Sequence, residues 1–303
     1  MNQSLFRPRR PALFAAMIMA LTLSLAACGG KQDEVGSSPA GASAGSPEAA
    51  AMAAFRHLRA NDLGKAVAVS VPPAHLQQAR QSWDEERRSK TITDEERAEF
   101  AATMERLTAP GAEQQMLAEI RPQLEQFQGD MKAQLPAMVA MGKGFVIASI
   151  NESQDIPEQN KPQAIDAINA LGRWVEKGEF ADIGRAENAI AEISRTARSL
   201  PVSTLDDVQA LDFDGLMDLA SVAVAGVKKT VGHYGIDIDG ALDSARAETI
   251  DRQGNQATVR VHFNLFDAPL SYDAKMVQVD GAWYDQSTID ALSDTADDST
   301  SQD

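Results

Sequence analysis

The sequence has a single cysteine, few aromatic residues and too few basic residues to balance its acids. One thiol cannot pair within a chain, so the 303 residues hold no disulfide framework. Lysine and arginine number 28 against 44 aspartate and glutamate residues, a formal net charge of −16. We therefore expect no nucleic-acid partner, because a phosphate backbone is bound by a basic surface. The composition of the whole chain, 44% hydrophobic and 24% charged, is typical of a globular protein.

The motifs of common cofactor and metal sites are also missing. There is no Walker A loop and no G-x-G-x-x-G, so we expect no nucleotide cofactor. The histidines are scattered, without the H-E-x-x-H spacing of a metal site, and they stand at positions His57, His75, His233 and His262. Asp212–Gly215 and Asp237–Gly240 begin like calcium loops but lack the later ligands, so each aspartate is predicted to cap a helix. We assign no catalytic residue, no metal and no cofactor.

The N-terminus has the organisation of an export signal. Residues 1–10 carry three arginines and no acid, and Pro11–Ala27 is an uncharged apolar run. This run has 17 residues, short of the ~20 that a helix needs to cross a bilayer. Residues 1–27 are therefore predicted to be a cleaved signal peptide.

The cysteine lies directly after this run. Leu25, Ala26, Ala27 and Cys28 together resemble the lipobox of bacterial lipoproteins. The resemblance implies that a diacylglyceryl group is attached to the Cys28 thiol, that the chain is cut before Cys28, and that the new amine is acylated. In this class of lipoprotein, an aspartate directly after the cysteine resembles an inner-membrane retention signal. Residue 29 is a glycine, which implies the periplasmic face of the outer membrane. Cleavage would delete three arginines and change the net charge from −16 to −19, leaving the acyl chains as the membrane contact.

The mature chain divides by composition and period. Gly, Ser, Ala and Pro dominate the segment before Pro47, which is predicted to be a flexible tether with a reach of about 25 Å. Helical periodicity continues to about residue 244, and the period then changes to two. The predicted parts are a signal peptide (1–27), a tether (28–46), a helical domain (47–244), an antiparallel β-meander (245–290) and a disordered acidic tail (291–303).

Two helices show clear apolar stripes. The first is predicted to bury one side only, through Ile183, Ala186, Ile190, Ile193, Ala197 and Leu200. The second begins near Asp212 and is predicted to turn inward Leu216, Leu219, Ala223, Val227, Val231 and Tyr234.

Ala137–Ile150 is the most apolar stretch after the signal peptide. A membrane-inserted hairpin and a core helix are both compatible with it. Its 14 residues are too few to span a bilayer and Lys143 lies in the middle, so a core helix is favoured. Gly142 and Gly144 would allow a neighbouring backbone to approach closely there.

Alternating residues near the C-terminus predict strands around Ala247–Arg252, Val259–Leu265 and Tyr272–Val279, and Asp280-Gly281 predicts a hairpin into Trp283. The V-D-G-x-W-Y ending is similar to the last hairpin of cystatin-like and NTF2-like periplasmic domains. The fold class is therefore predicted to be α+β: a mainly helical body with a small C-terminal antiparallel β-meander packed on it.

Because the motifs of catalysis are missing, the favoured function is non-catalytic: a lipid-anchored envelope protein that binds a partner protein. One alternative is a module for a small apolar ligand, with Val261, Phe263 and Tyr272 facing a cavity on the C-terminal sheet. Another is an envelope hydrolase whose carboxylates meet only in the fold. Partner binding would be favoured by an exposed apolar patch on the helices. Ligand binding would be favoured by an enclosed cavity, and hydrolysis by a cleft with two close carboxylates.

Overall fold

The computed structural model describes residues 45–154 and 156–300. The α-helices of this part are α1 (Pro47–Arg59), α2 (Leu63–Ser70), α3 (Pro73–Ser89), α4 (Asp94–Thr108), α5 (Ala112–Gln126), α6 (Leu135–Glu152), α7 (Lys161–Glu176), α8 (Ile183–Ser199), α9 (Leu205–Ala210), α10 (Phe213–Gly232), α11 (Ile238–Ser244) and α12 (Gln286–Thr300). A π-helical turn spans Phe127–Met131, and 3₁₀ turns span Glu158–Asn160 and Glu179–Ala181.

Several helices start at a residue whose side chain accepts from a free backbone N–H group. Thr93 and Glu96 form a capping box at the start of α4, in which each side chain accepts from the other residue's backbone N–H. Asp212 Oδ1 accepts from Gly215 N–H at 2.8 Å, and Asp237 Oδ1 accepts from Gly240 N–H at 2.8 Å. The prediction that both aspartates cap helices is confirmed.

A single antiparallel sheet follows the helices. Its strands are β1 (Arg246–Gln253), β2 (Gln256–Leu265), β3 (Ala268–Val279) and β4 (Ala282–Asp285), in the order β1-β2-β3-β4. Asp280 and Gly281 both have positive φ, as the predicted two-residue hairpin requires. The predicted α+β fold, a mainly helical body with a C-terminal antiparallel meander packed on it, is confirmed.

The strand β3 begins at Ala268, four residues before the predicted start. Pro269 lies in the added part, where β3 pairs with Asn264 of β2 on one side. On its other side β3 pairs with β4 only over Met276–Val279. Proline is tolerated at such an edge because no ladder hydrogen bond is lost there.

One face of the sheet forms a core with α1. Val259 and Val261 of β2 and Trp283 of β4 are buried there against Ala50 and Phe55 of α1. Toward the other end of the same face, Ala170 of α7 packs on the β2–β3 hairpin. The sheet therefore covers its apolar face with two helices.

Helix α8 lies in the middle of the helical body, in contact with α4, α5 and α10. Most of the exposed residues of α8, among them Glu187, Asn188 and Arg195, share one side, so the prediction that it buries one side only is confirmed, but the buried side is not the same set of residues as the predicted stripe. Ala186 and Ile190 are buried as expected, but Ile193 is 38% exposed, while Glu192 and Ser194 are buried. Three neighbouring helices widen the buried arc of α8 beyond its apolar stripe.

Helix α10 crosses α8 closely at Gly226. A Cβ atom at that position would collide with the Thr196 side chain. Leu216 and Leu219 are buried as predicted, whereas Val227 is 52% exposed, which corrects its predicted inward position. The close crossing turns the glycine toward α8, and the next residue consequently faces outward.

The C-terminal segment continues as helix instead of ending with the sheet. Asp285 Oδ1 accepts from Ser287 N–H at 2.9 Å at the start of α12, and Gln286 Nε2 donates to Asp290 Oδ1 at 2.7 Å. Helix α12 therefore occupies part of the predicted meander (245–290) and runs into the segment predicted as a disordered tail (291–303). The boundary at residue 290 does not coincide with an end of secondary structure.

Candidate docking surface

Helix α6 carries the largest concentration of exposed apolar side chains among the described residues. Met141 is 74% exposed and Phe145 is 75% exposed, and Met138 and Val146 are also exposed. Two large apolar side chains one turn apart, each about three-quarters exposed, are unusual on a protein surface, where exposed apolar residues are normally scattered singly.

The other side of α6 packs on α7. Leu135 and Ile150 are buried, and Val139, Lys143 and Ile147 are half-buried along the same stripe. Their spacing of three and four residues places them on one side of the helix, with Met141 and Phe145 on the opposite side. Helix α6 is thus the outer member of an α6–α7 hairpin.

Lys143 points toward α7. It is the only charged residue between Lys132 and Glu152, its stem lies on Gly172, and its ammonium is 3.8 Å from the Glu176 carboxylate. Because the ion pair is made on the inner side, no charge lies on the outer face between the two ends of α6. We call this outer face, formed by Ala137, Met138, Met141, Gly144, Phe145 and Ala148, the α6 face.

This arrangement corrects the expectation that Ala137–Ile150 is a core helix. A helix that is apolar on all sides normally has neighbours all round, and among the described elements α6 packs mainly on α7. Gly142 and Gly144 have no atoms near enough to touch an added methyl group. The close approach that they were expected to allow is therefore made by no element of the described chain.

Helix α7, on which α6 packs, is held in place by aromatic contacts near its C-terminal end. The Trp174 ring lies 6.1 Å from that of Phe180 and 5.8 Å from that of Phe266, in the β2–β3 turn. Trp174 Nε1 also donates to the Tyr234 carbonyl at 2.8 Å. Through these contacts the α6–α7 hairpin is connected to the sheet and to the end of α10.

Val261, Phe263 and Tyr272, predicted to face a ligand, lie together on the covered face of the sheet. Val261 is fully buried, and Phe263 and Tyr272 are partly buried with ring centroids 6.3 Å apart. Burial, with the nearby charge of Asp285, raises the pKa of Tyr272 to about 12. Here these three side chains pack against protein. Their ligand-binding role stays a prediction.

A cleft of about 230 Å³ lies elsewhere, between the end of α10 and the start of α11. Lys228, Asp237 and Asp239 are among its lining residues. The buried Lys228 ammonium donates to the Leu58 carbonyl at 3.0 Å and to Asn61 Oδ1 at 2.8 Å, and it pairs with Asp239. With its donors used inside the protein, this lysine ties α1, α10 and α11 together rather than offering a free charge to a ligand.

Among the described residues, no group of three or more histidine, cysteine, aspartate and glutamate side chains is placed to hold a metal ion. In the same part of the chain, no helix is both long enough and apolar enough to cross a membrane. The predicted lipidation residue Cys28 and the lipobox residues Leu25, Ala26 and Ala27 lie outside the described residues.

Comparison of the chain with protein-family models, with curated proteins and with solved structures finds no match. The α6 face is consequently the feature from which a function is inferred. Its apolar stretch can be recognised from the sequence, but its exposure cannot. The available signal was the position of Lys143, which shares a stripe with Val139 and Ile147 and therefore could not also lie on the side of Met141.

Proposed function

We propose that this protein is a lipid-anchored envelope lipoprotein of bacteria with a non-catalytic role, and that it docks a protein partner through the α6 face. The observation that supports docking is the exposure of Met141 and Phe145 on a face without charge. Burying a side chain of this size contributes about 1.5–3 kcal/mol. Methionine and aromatic side chains are enriched at the centre of protein interfaces, and charged residues are depleted there.

The anchor is the second part of the proposal. Acylation of Cys28 would hold the protein at the periplasmic face of the outer membrane, with the tether allowing the folded body to move over that surface. A body with net charge −19 would be repelled by anionic lipid. The acyl chains would therefore make the membrane contact, and the α6 face would stay available for a protein.

Docking is tested by placing a photo-crosslinking amino acid at Phe145 in the full-length protein and irradiating intact cells. The matched control places the same group at Glu105, an exposed position of α4. The proposal predicts a discrete crosslinked product from position 145 and none from position 105. Equal background labelling from both positions would contradict it.

The anchor is tested by metabolic labelling with palmitate. The parent protein should incorporate label and fractionate with the outer membrane, whereas Cys28→Ala should do neither. Equal labelling of both proteins would refute the lipid anchor while leaving the docking test unaffected.

A further inference from the structure

The α6 face carries two accessible thioether sulfurs. Met138 is 46% exposed and Met141 is 74% exposed, and their spacing of three residues places them on the same side of the helix. By contrast, Met217 of α10 is 2% exposed and Met276 of β3 is 4% exposed. A thioether is oxidised where an oxidant can reach it. Within the described chain, the surface with the most accessible methionine is therefore the one that is proposed to dock a partner.

The reaction of such a sulfur with hydrogen peroxide is a two-electron oxidation. A lone pair of the Met141 sulfur attacks one peroxide oxygen, so that a sulfur–oxygen bond forms and the oxygen–oxygen bond breaks. The other oxygen leaves with both peroxide protons as water, and the thioether has become a sulfoxide. Methionine sulfoxide reductases reverse the step, because two thiols supply the electrons, become a disulfide and release the oxygen as water. The modification is thus reversible.

Oxidation makes an apolar face polar. The sulfoxide oxygen is a hydrogen-bond acceptor, and the remaining side chains of the α6 face belong to alanine, glycine and phenylalanine, none of which can donate to it. The one cation in the middle of the helix, Lys143, is directed to Glu176 on the inner side. Water satisfies the new acceptor while the face is open, and a docked partner would remove that water. Burial of one unpaired polar group weakens an interface about tenfold or more.

The change is confined to the outer side of α6. The inner side packs on α7 through Leu135, Val139 and Ile150, and these aliphatic side chains contain no sulfur to oxidise. Oxidation of a core methionine disrupts the packing around it, whereas a sulfoxide at Met141 has few neighbours to displace. The fold should therefore persist while the docking surface changes.

We infer that Met138 and Met141 form a site of reversible oxidation by peroxide, and that oxidation there releases the partner from the α6 face. This inference rests on the proposed docking role of α6. It adds a condition to that role: the face holds its partner when both sulfurs are reduced and loses it when they carry oxygen.

The modification is tested by treating the purified full-length protein with hydrogen peroxide and following each methionine by peptide mass spectrometry. Met141 should react first, whereas Met217 and Met276 should react about tenfold or more slowly, because their sulfurs are reached only when the fold opens locally. Circular dichroism should stay unchanged while Met138 and Met141 are converted. Equal rates at Met141 and Met217 would overturn the site.

Reversal is measured on the same oxidised sample. Methionine sulfoxide reductases with dithiothreitol should return Met138 and Met141 to their original mass. Sulfoxide that persists at these positions under conditions that reduce a free methionine sulfoxide peptide would overturn reversibility.

Release is tested with the photo-crosslinking group at position 145 in intact cells, with and without peroxide. In the parent, peroxide should lower the yield of crosslinked product about tenfold. In Met138→Leu with Met141→Leu, which keeps the volume and apolarity but lacks sulfur, the product should form and peroxide should leave it unchanged. The matched control is Met131→Leu, which removes an exposed methionine outside the α6 face and should keep the sensitivity of the parent.

Met141→Gln supplies a polar side chain without any oxidant. This variant should give about tenfold less product in untreated cells. A yield equal to that of the parent would contradict the assigned cause of release. Loss of product on peroxide treatment of the double-leucine variant would assign the sensitivity to another group and overturn the inference.

The failure of this inference is distinguishable from the failure of docking itself. A product at position 145 that persists after Met138 and Met141 are oxidised would keep the docking role and overturn release. No product at position 145 in untreated cells would remove docking and release together.

Discussion

The stem of Lys143 lies on Gly172, and a Cβ atom at residue 172 would collide with Lys143 Cδ. This contact lets the only charged side chain in the middle of α6 reach Glu176 on the inner side of the hairpin, with 3.8 Å between ammonium and carboxylate. The absence of charge from the α6 face therefore depends on a glycine of the neighbouring helix.

Enlarging that glycine should destabilise the hairpin. Gly172→Val introduces a branched side chain where Lys143 and Val139 Cγ1 already lie, and overpacking of this kind costs about 1–3 kcal/mol. The control is Gly142→Ala, where no atom is near and helix propensity should raise stability by up to about 1 kcal/mol. Urea unfolding monitored by circular dichroism measures both free energies, and equal effects at the two positions would contradict the packing described.

The α8–α10 crossing provides a second stability test. Gly226→Ala places a methyl group within collision distance of Thr196 Cβ and Cγ2, so a loss of about 1–3 kcal/mol is expected. Thr196→Ala in the same chain should recover part of the loss, as a double-mutant cycle would show. Gly232→Ala on the same helix meets nothing and should leave the unfolding midpoint unchanged or slightly raised.

Asp273 gives the fold an acid-sensitive element. Burial alone would raise the pKa of this carboxyl, but Arg260 Nε and Nη2, at 2.7 and 2.9 Å, and Gln163 lower it below its ordinary value of 3.8. A carboxyl whose pKa is lowered on folding stabilises the fold above the unfolded-state pKa and loses this contribution as pH falls through the folded-state value.

Asp273→Asn should consequently cost about 1–3 kcal/mol at pH 7, because a largely buried ion pair is broken. The difference from the parent should shrink as pH falls below about 4, in unfolding curves recorded from pH 7 to pH 2. Asp214→Asn, which breaks the exposed pair with Arg80, should change stability by less than about 1 kcal/mol. A pH-independent difference for Asp273→Asn would rule out the assigned cause.

The β2–β3 turn holds two residues other than glycine at positive φ, Phe266 at 54° and Asp267 at 56°. Asp267→Gly should relieve about 0.5–1 kcal/mol of backbone strain. It also removes the exposed ion pair with Lys177, which contributes little, so the net stability should rise. Phe266→Gly should instead lower stability, because the ring contact with Trp174 is lost. Thermal unfolding of the two variants should shift in opposite directions.

The elements that could be predicted from sequence are those whose cause is local. Thr93 with Glu96, and Asp212 or Asp237 with the N–H three residues later, cap helices by contacts within one turn. Asp280-Gly281 fixes its hairpin through two positive φ angles. Such features require no knowledge of what packs on them.

The features that could not be predicted depend on neighbours. Ile193 and Glu192 exchange their expected environments because α8 is surrounded by three helices, and the sequence gives no count of those neighbours. The exposure of Met141 also depends on neighbours, in this case on their absence. The apolar pattern of α6 indicates burial, and only the fold shows that one side has no partner among the described elements.

The most direct test of the account is the accessibility of the α6 face in the envelope. A cysteine at Phe145 should be shielded from a bulky maleimide in intact envelopes and should react fully after the protein is purified at low concentration in detergent, with Cys28 in the parent as the background. A cysteine at Glu105 should react in both states. Full reaction at position 145 in the envelope would show an unoccupied α6 face and would contradict the proposed docking role.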